Sequence, residues 1–171
     1  MSALTPLRGT AHVYGDHIDT DRIIAGKYTK TLDTSVLAAH VLEDLDPGFR
    51  QRLVSGDVLV AGQNFGCGSS REQAPVACKA AGVSVIIARS FAAIFYRNAI
   101  NIGLPLLEIP QHTIADGTTL RIDLDAGRVH DEQSGLSYEA KHLPPVMLAI
   151  LRAGGLVPFL ARHGDFVIPA E

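Results

Sequence analysis

The chain has no tryptophan and only two cysteines, Cys67 and Cys78. A zinc site built from cysteines alone and an iron–sulfur cluster held by this chain alone are both excluded, because such centres take roughly three or four thiolates from their host. Two cysteines make no disulfide framework, and sparse thiols fit a reducing compartment. An excess of either charge is missing as well: 15 Lys and Arg stand against 18 Asp and Glu, a net charge of −3. A general binder of phosphate backbones needs clustered, uncompensated cations, so nucleic acid is not an expected partner. No apolar run reaches the ~18 residues of a membrane span. The opening Met1-Ser2-Ala3-Leu4-Thr5-Pro6-Leu7-Arg8 has no basic segment followed by an apolar run, so it does not read as a signal peptide. The expectation is a cytoplasmic chain with no membrane partner.

What is present is an ordinary globular composition, 47% hydrophobic and 19% charged, with enough apolar content to fold rather than stay disordered. The length of 171 residues predicts one domain, 1–171, whose core needs no disulfide or metal staple. No segment repeats and no low-complexity linker divides it. Residues 7–14 read as a first strand and 15–22 as a polar loop. Asp33 then precedes Val36-Leu37-Ala38-Ala39-His40-Val41-Leu42, where apolar residues recur at helical spacing behind an acceptable N-cap. Asp57-Val58-Leu59-Val60-Ala61 is a short apolar, β-branched run that empties into Gly62-Gln63-Asn64-Phe65-Gly66-Cys67-Gly68. Ser69-Ser70-Arg71-Glu72 has the Ser-x-x-Glu form of a capping box, which predicts a helix from there to about Ala81, stopped by Gly82. Residues 83–88 are a second buried strand. Strand, glycine loop, helix and strand form a βαβ unit with parallel strands and a right-handed crossover.

Residues 91–102 read as another helix ended by Gly103, with Phe91, Ile94, Phe95 and Ile102 at core spacing and Arg97 and Asn98 as polar exceptions. The run 104–109 is an edge-tolerant strand, because Pro105 cannot donate to a ladder. From Thr118 the pattern changes: 119–124 alternates with period two, Asp125-Ala126-Gly127 turns, and Arg128-Val129-His130 returns, which is antiparallel hairpin chemistry. Residues 144–151 form a helix with proline in its first turn, closed by Gly154-Gly155. The fold class is α/β with a mixed sheet.

A glycine-rich turn that delivers the chain into a helix N-terminus is an anion site in the making, since unpaired N–H groups and the helix dipole both favour negative charge there. Nucleotide patterns fail at this loop. Gly68 is followed by Ser69, Ser70 and Arg71 with no P-loop lysine, and Gly66-x-Gly68-x-x-Arg71 lacks the third glycine of the dinucleotide fingerprint. Two hydroxyls, a guanidinium and a nest of N–H groups suit a small carboxylate, which arginine grips bidentately. Read locally, Ser69 and Glu72 do no more than cap the helix, but capping alone calls for neither Gly-x-Gly before it nor a second serine and an arginine within it.

The stretch 62–74 resembles the signature of the aconitase swivel-domain family, and within it the free-standing small subunits of isopropylmalate dehydratases. The likeness continues through 89–105 and includes Asp16-His17-Ile18-Asp19-Thr20-Asp21-Arg22-Ile23-Ile24; the C-terminal third adds little. The resemblance implies a swivelling β/β/α fold like the fourth domain of aconitase, and a two-chain hydro-lyase of leucine biosynthesis. A large subunit would carry a [4Fe-4S] cluster and this chain would close over it, holding no metal itself. The implied reaction dehydrates a 2-hydroxy acid and rehydrates it with the hydroxyl on the neighbouring carbon. By the family pattern Ser69 is the base, Asp21 supports its network, Ser70 hydrogen-bonds in the same nest and Arg71 holds a substrate carboxylate. A serine base needs preorganised donors and a nearby cation to stabilise its alkoxide.

In this family the loop that holds residues 26–31 meets the part of the substrate that distinguishes one 2-hydroxy acid from another. Thr29 stands where relatives often have leucine, and Lys30 occupies the discriminating position. Lysine there either pairs with an extra carboxylate or snorkels to solvent. Taking it to solvent makes isopropylmalate the first expectation and a homoaconitase-like or other dicarboxylate hydro-lyase the second; a carboxylate-binding module without chemistry is the reading from another class. Cys67 is read as packing, and the histidines at 12, 17, 40, 112, 130, 142 and 163 as ordinary surface or core residues, since none has metal-ligand spacing with cysteine or carboxylate.

Overall fold

The computed structural model describes residues 4–164. Residues 1–3 of the stretch read for a leader, and 165–171 at the end of the single-domain span, lie outside the described residues. In chain order the elements are strand β1 (Leu7–Val13), helix α1 (Thr20–Ile23), a 3₁₀ turn (Gly26–Tyr28), α2 (Thr34–Ala39), α3 (Phe49–Arg52), β2 (Val58–Ala61), α4 (Gln73–Ala81), β3 (Val85–Ala88), α5 (Ala93–Asn101), β4 (Leu106–Glu108), β5 (Thr119–Asp123), β6 (Arg128–Asp131), β7 (Ser137–Glu139), α6 (Pro145–Ala153) and α7 (Leu156–His163). The strands form one mixed sheet in the order β4-β3-β2-β1-β5-β6-β7. Pairing is parallel from β1 to β4 and antiparallel from β1 through β5 and β6 to β7. Among the described residues no single helix is long and apolar enough to cross a membrane.

Both faces of the parallel half are covered, which is why β2 and β3 read as unbroken apolar runs. Leu59, Ala61, Ile86 and Ala88 pack with Leu37, Ala74, Ala77 and Cys78 of α2 and α4 on one side. Val58, Val60, Val85 and Ile87 pack with Leu148, Leu151 and Phe159 of α6 and α7 on the other. Burial pushes the Cys78 thiol up to about 12, so it is an inert packing group. Gly82 takes the left-handed conformation at φ +107° and the Val83 N–H closes back to the Cys78 carbonyl, so β3 starts only at Val85. As its proline requires, β4 lies at the sheet edge, where the Pro105 carbonyl accepts from the Ile86 N–H (3.1 Å).

Four local expectations are corrected. The loop 15–22 ends in α1, because the Asp19 carboxylate accepts from the Arg22 N–H (3.0 Å) and nucleates a single turn. Helix α2, capped by Asp33 onto the Ser35 N–H (2.9 Å), stops at Ala39. Leu42, fully buried, takes φ +57° and donates its N–H to the Ile23 carbonyl instead. The capping box does not form: α4 begins at Gln73 behind Glu72, with no side-chain cap. Phe91 pairs in extended backbone with Phe65, α5 begins at Ala93, and Ile94 is exposed rather than core. The short α3 and β7 have too few residues to show a period, whereas α7 is amphipathic and buries Phe159.

Asp57 ties the start of β2 to β1. Its carboxylate accepts from the Thr10 and Val54 N–H groups and meets His12 Nε2, all at 2.9 Å, in a nearly dry setting. Burial by itself raises this carboxyl, but the His12 ring and the two N–H donors outweigh it and hold the group below the ordinary carboxylate range. Its contribution to stability is therefore complete above about pH 4 and is lost as pH falls through that range into the lower folded-state value. Urea unfolding of Asp57→Ala is expected to show a loss of about 3–5 kcal/mol at neutral pH, with a shallower decline between about pH 5 and pH 2 than the unsubstituted chain.

Candidate functional site

Three loops leave the sheet at the C-terminal ends of β1, β2 and β3, and the backbone keeps pairing beyond the strands. The Gly62 N–H donates to Gly15, His17 to Gln63, Gly66 to Ile18 and Thr20 to Cys67, at 2.8–3.0 Å. On the other flank Arg89 donates to Gly62, Phe65 to Ser90 and Ala92 to Phe65, at 2.9–3.0 Å. Asp16 accepts from the Gln63 N–H (2.7 Å) and Ser90 Oγ from the Asn64 N–H (2.8 Å). The glycine loop is thus a continuation of the parallel sheet. Gly66 is obligatory within it: its φ is +79°, and a Cβ there would lie 2.2 Å from Cγ of Phe95.

This lacing sets α1 against the glycine loop. Thr20, buried, has its hydroxyl 3.0 Å from Ser69 Oγ, and the Ser69 N–H reaches Thr20 Oγ1 at 3.2 Å. One residue on, Asp21 forms an ion pair with Arg71. Ser69, Asp21 and Arg71, far apart along the chain, therefore share one surface. Ser69, Ser70 and Asp21 are exposed and Arg71 is half-buried. The Ser70 carbonyl accepts from Asn98 Nδ2 (3.4 Å), which ties α5 to the same loop. The expected nest of free N–H groups is narrower than the spacing suggests, since Gly66 and Ser69 both donate within the chain.

The loop over 26–31 stands beside Arg71. A Cβ on Gly26 would meet its guanidinium nitrogens at 3.3 and 3.4 Å, and Gln73 Nε2 reaches the Thr29 carbonyl at 3.4 Å. Tyr28 stacks on His40 with centroids 3.8 Å apart and donates its hydroxyl to Glu43. The Thr29 hydroxyl donates back to the Gly26 carbonyl (2.8 Å). Lys30 is exposed and has no ion pair among the described residues. Thr20 is the group that reading by motif passed over; its signal is its place between Asp19 and Asp21. Cys67, read as packing, is only half-buried, and its carbonyl accepts from the Thr20 N–H. Among the described residues no three His, Cys, Asp or Glu side chains are placed to hold a metal. His112 is buried, with Nε2 on the Ala61 carbonyl at 3.2 Å; desolvation lowers its pKa, so it is neutral at pH 7.

With parallel strands feeding a glycine loop, and Ser69 on Thr20 beside an Arg71–Asp21 pair, the chain is similar to the aconitase C-terminal domain, whose family profile matches residues 50–112. The 3-isopropylmalate dehydratase small subunit 1 of Methanopyrus kandleri is 52% identical over 160 residues, 92% of this chain and 94% of that protein. The 2,3-dimethylmalate dehydratase small subunit of Eubacterium barkeri is 48% identical, over 90% of this chain and 95% of its own. The crystal structure of a 3-isopropylmalate dehydratase from Methanocaldococcus jannaschii superposes with a TM-score of 0.90 at 43% identity, covering 94% of this chain and 96% of that one. The chain belongs to the family of 3-isopropylmalate dehydratase small subunits.

The lacing makes the loop sensitive to bulk at one position and tolerant at another. Gly66→Ala is expected to lower unfolding stability by about 1–3 kcal/mol by overpacking against Phe95. Gly15→Ala, whose Cβ meets nothing within 4 Å, is expected to leave the urea midpoint unchanged.

Proposed function

We propose that this chain is the small subunit of a cytoplasmic hydro-lyase that interconverts 2- and 3-isopropylmalate in leucine biosynthesis by removing and re-adding water. The observation that carries the reading is that laced loops put Ser69 on Thr20 and, a little further along the same segments, Arg71 on Asp21, in a chain whose relatives are named as dehydratase small subunits. Arg71 binds a substrate carboxylate, exchanging its exposed partner Asp21 for the ligand or sharing it; so open a pair is held weakly and yields readily. Ser69 takes the proton from the carbon beside a carboxylate. Ser70 lies next to both on the exposed rim, and Thr29 and Lys30 border the part of the substrate that varies.

The site is open to water in the isolated chain, whereas charge stabilisation of this kind requires a dry, low-dielectric setting. A large subunit that closes over the loops supplies that cover. A [4Fe-4S] cluster, where the family uses one, belongs to that partner. The donor set here does not fit it, because Cys78 is buried with its thiol proton held and, among the described residues, Cys67 stands without two further ligands beside it. No step assigned to this chain passes through it. Relatives named as dehydratase subunits speak against a carboxylate-binding module without chemistry.

A second substrate is favoured by one finding: a relative as similar as the others acts, by its name, on 2,3-dimethylmalate. Substrate choice then rests on few residues, and Lys30 is the exposed one at the variable end. Mixed with a cluster-loaded large subunit, Ser69→Ala is expected to lower kcat for isopropylmalate by about 100-fold or more with its fold intact by circular dichroism; turnover at the unsubstituted rate would return Ser69 to a structural role. Lys30→Val is expected to leave kcat/KM for isopropylmalate within about threefold, as a side chain in solvent contributes under about 1 kcal/mol. A larger loss would favour an extra carboxylate on the natural substrate.

A further inference from the structure

We propose that the Thr20 hydroxyl is the donor that stabilises Ser69 as a base, a role that rests on the assignment of Ser69 above. The base needs groups that hold negative charge on Oγ, and the two evident sources are displaced. Helix α4 starts at Gln73, beyond the serine, and Arg71 is paired with Asp21. Thr20 Oγ1 stands 3.0 Å from Ser69 Oγ and is the only side-chain atom among the described residues within hydrogen-bond distance of it. Thr20 is 1% exposed, so water does not compete for its hydroxyl.

The proton on Thr20 has a directed choice. Because the Ser69 N–H donates to Thr20 Oγ1 at 3.2 Å, the Thr20 hydrogen points to another acceptor. Two are within reach: the Ser69 carbonyl at 3.2 Å and Ser69 Oγ at 3.0 Å. With Ser69 neutral the carbonyl competes for it. With Ser69 ionised, Oγ becomes the stronger acceptor and the hydrogen turns to it, making a short charge-assisted bond. The interaction is thus gained when exposed Ser69 releases its proton to water and given up as Ser69 takes a proton from substrate; it speeds the reaction by raising the fraction of Ser69 present as the alkoxide from which abstraction starts. In that step the substrate C–H bond breaks and the Ser69 Oγ–H bond forms. The electron pair left on carbon becomes the double bond as the neighbouring C–O bond breaks and hydroxide departs. When water is added back, Ser69 returns its proton to carbon and is again the alkoxide held by Thr20.

The test uses the reconstituted two-subunit enzyme with isopropylmalate and with isopropylmalate deuterated at the carbon that loses its proton. Thr20→Val is expected to lower kcat by about 100-fold, as for loss of one oxyanion donor, with KM within about threefold and a larger primary isotope effect. Thr20→Ser, which keeps the hydroxyl, is expected to stay within about fivefold of the unsubstituted enzyme. Thr20→Cys provides a second near-isosteric probe with a weak donor and is expected to fall between them. A purely structural threonine would instead alter assembly, KM or the melting temperature and leave the isotope effect unchanged. Thr20→Val or Thr20→Cys with unchanged kcat and isotope effect would overturn the proposal while an inactive Ser69→Ala leaves the base in place. An active Ser69→Ala would remove both.

Discussion

The arrangement of this molecule depends on backbone pairing that runs past the ends of its strands. Where β1, β2 and β3 finish as regular strands, their loops go on exchanging N–H and carbonyl groups, so that the glycine loop is clamped on both sides. Ordinary surface loops are held by few such bonds and move. Here the extended pairing leaves α1 no other place than against Ser69. The glycines serve this geometry. Gly66 leaves room for the Phe95 ring, and Gly68, at φ +96°, turns the chain beside Asp19 and Thr20.

Burial is uneven across this surface. The chain buries Thr20 and leaves Ser69, Ser70 and Asp21 open. The hydroxyl proposed to support Ser69 is shielded from water, while the groups proposed to meet a ligand stay accessible. The exposed side lacks the low dielectric that makes fixed dipoles effective. A cover supplied by another subunit completes the site, in keeping with the family to which the chain belongs. The loop next to Arg71 is anchored through Tyr28 on His40 and Glu43 and through the Thr29 hydroxyl on the Gly26 carbonyl.

Much of this was legible in the residue order. The apolar runs over 58–61 and 85–88, the stop at Gly82, the Asp33 cap and the hairpin over 119–130 are local, since each is decided by side-chain period or by one residue's allowed dihedrals. The long motifs around 62–74 and 89–105 likewise pointed to the family. Local rules misled where tertiary bonds offered more. Ser69-x-x-Glu72 has the form of a helix cap, yet the Ser69 N–H and hydroxyl go to Thr20, and the helix begins later. Phe91 has helical spacing, yet it pairs as extended chain with Phe65. Ile94 fits a core period and faces water because the preceding turn is not helical.

By itself the sequence determined the class of fold, a supply of only two cysteines, and the identities of the groups available for chemistry. Those follow from composition, period and short motifs, which act over a few residues. Only the tertiary structure decided which groups meet: that Arg71 pairs with Asp21, that Gly26 lies against its guanidinium, and that Thr20 sits buried beside Ser69. These contacts join residues some 45 to 50 positions apart, and no local preference encodes them. They exist because parallel strands, which need a long crossover before they can pair, bring distant loops to one edge of the sheet.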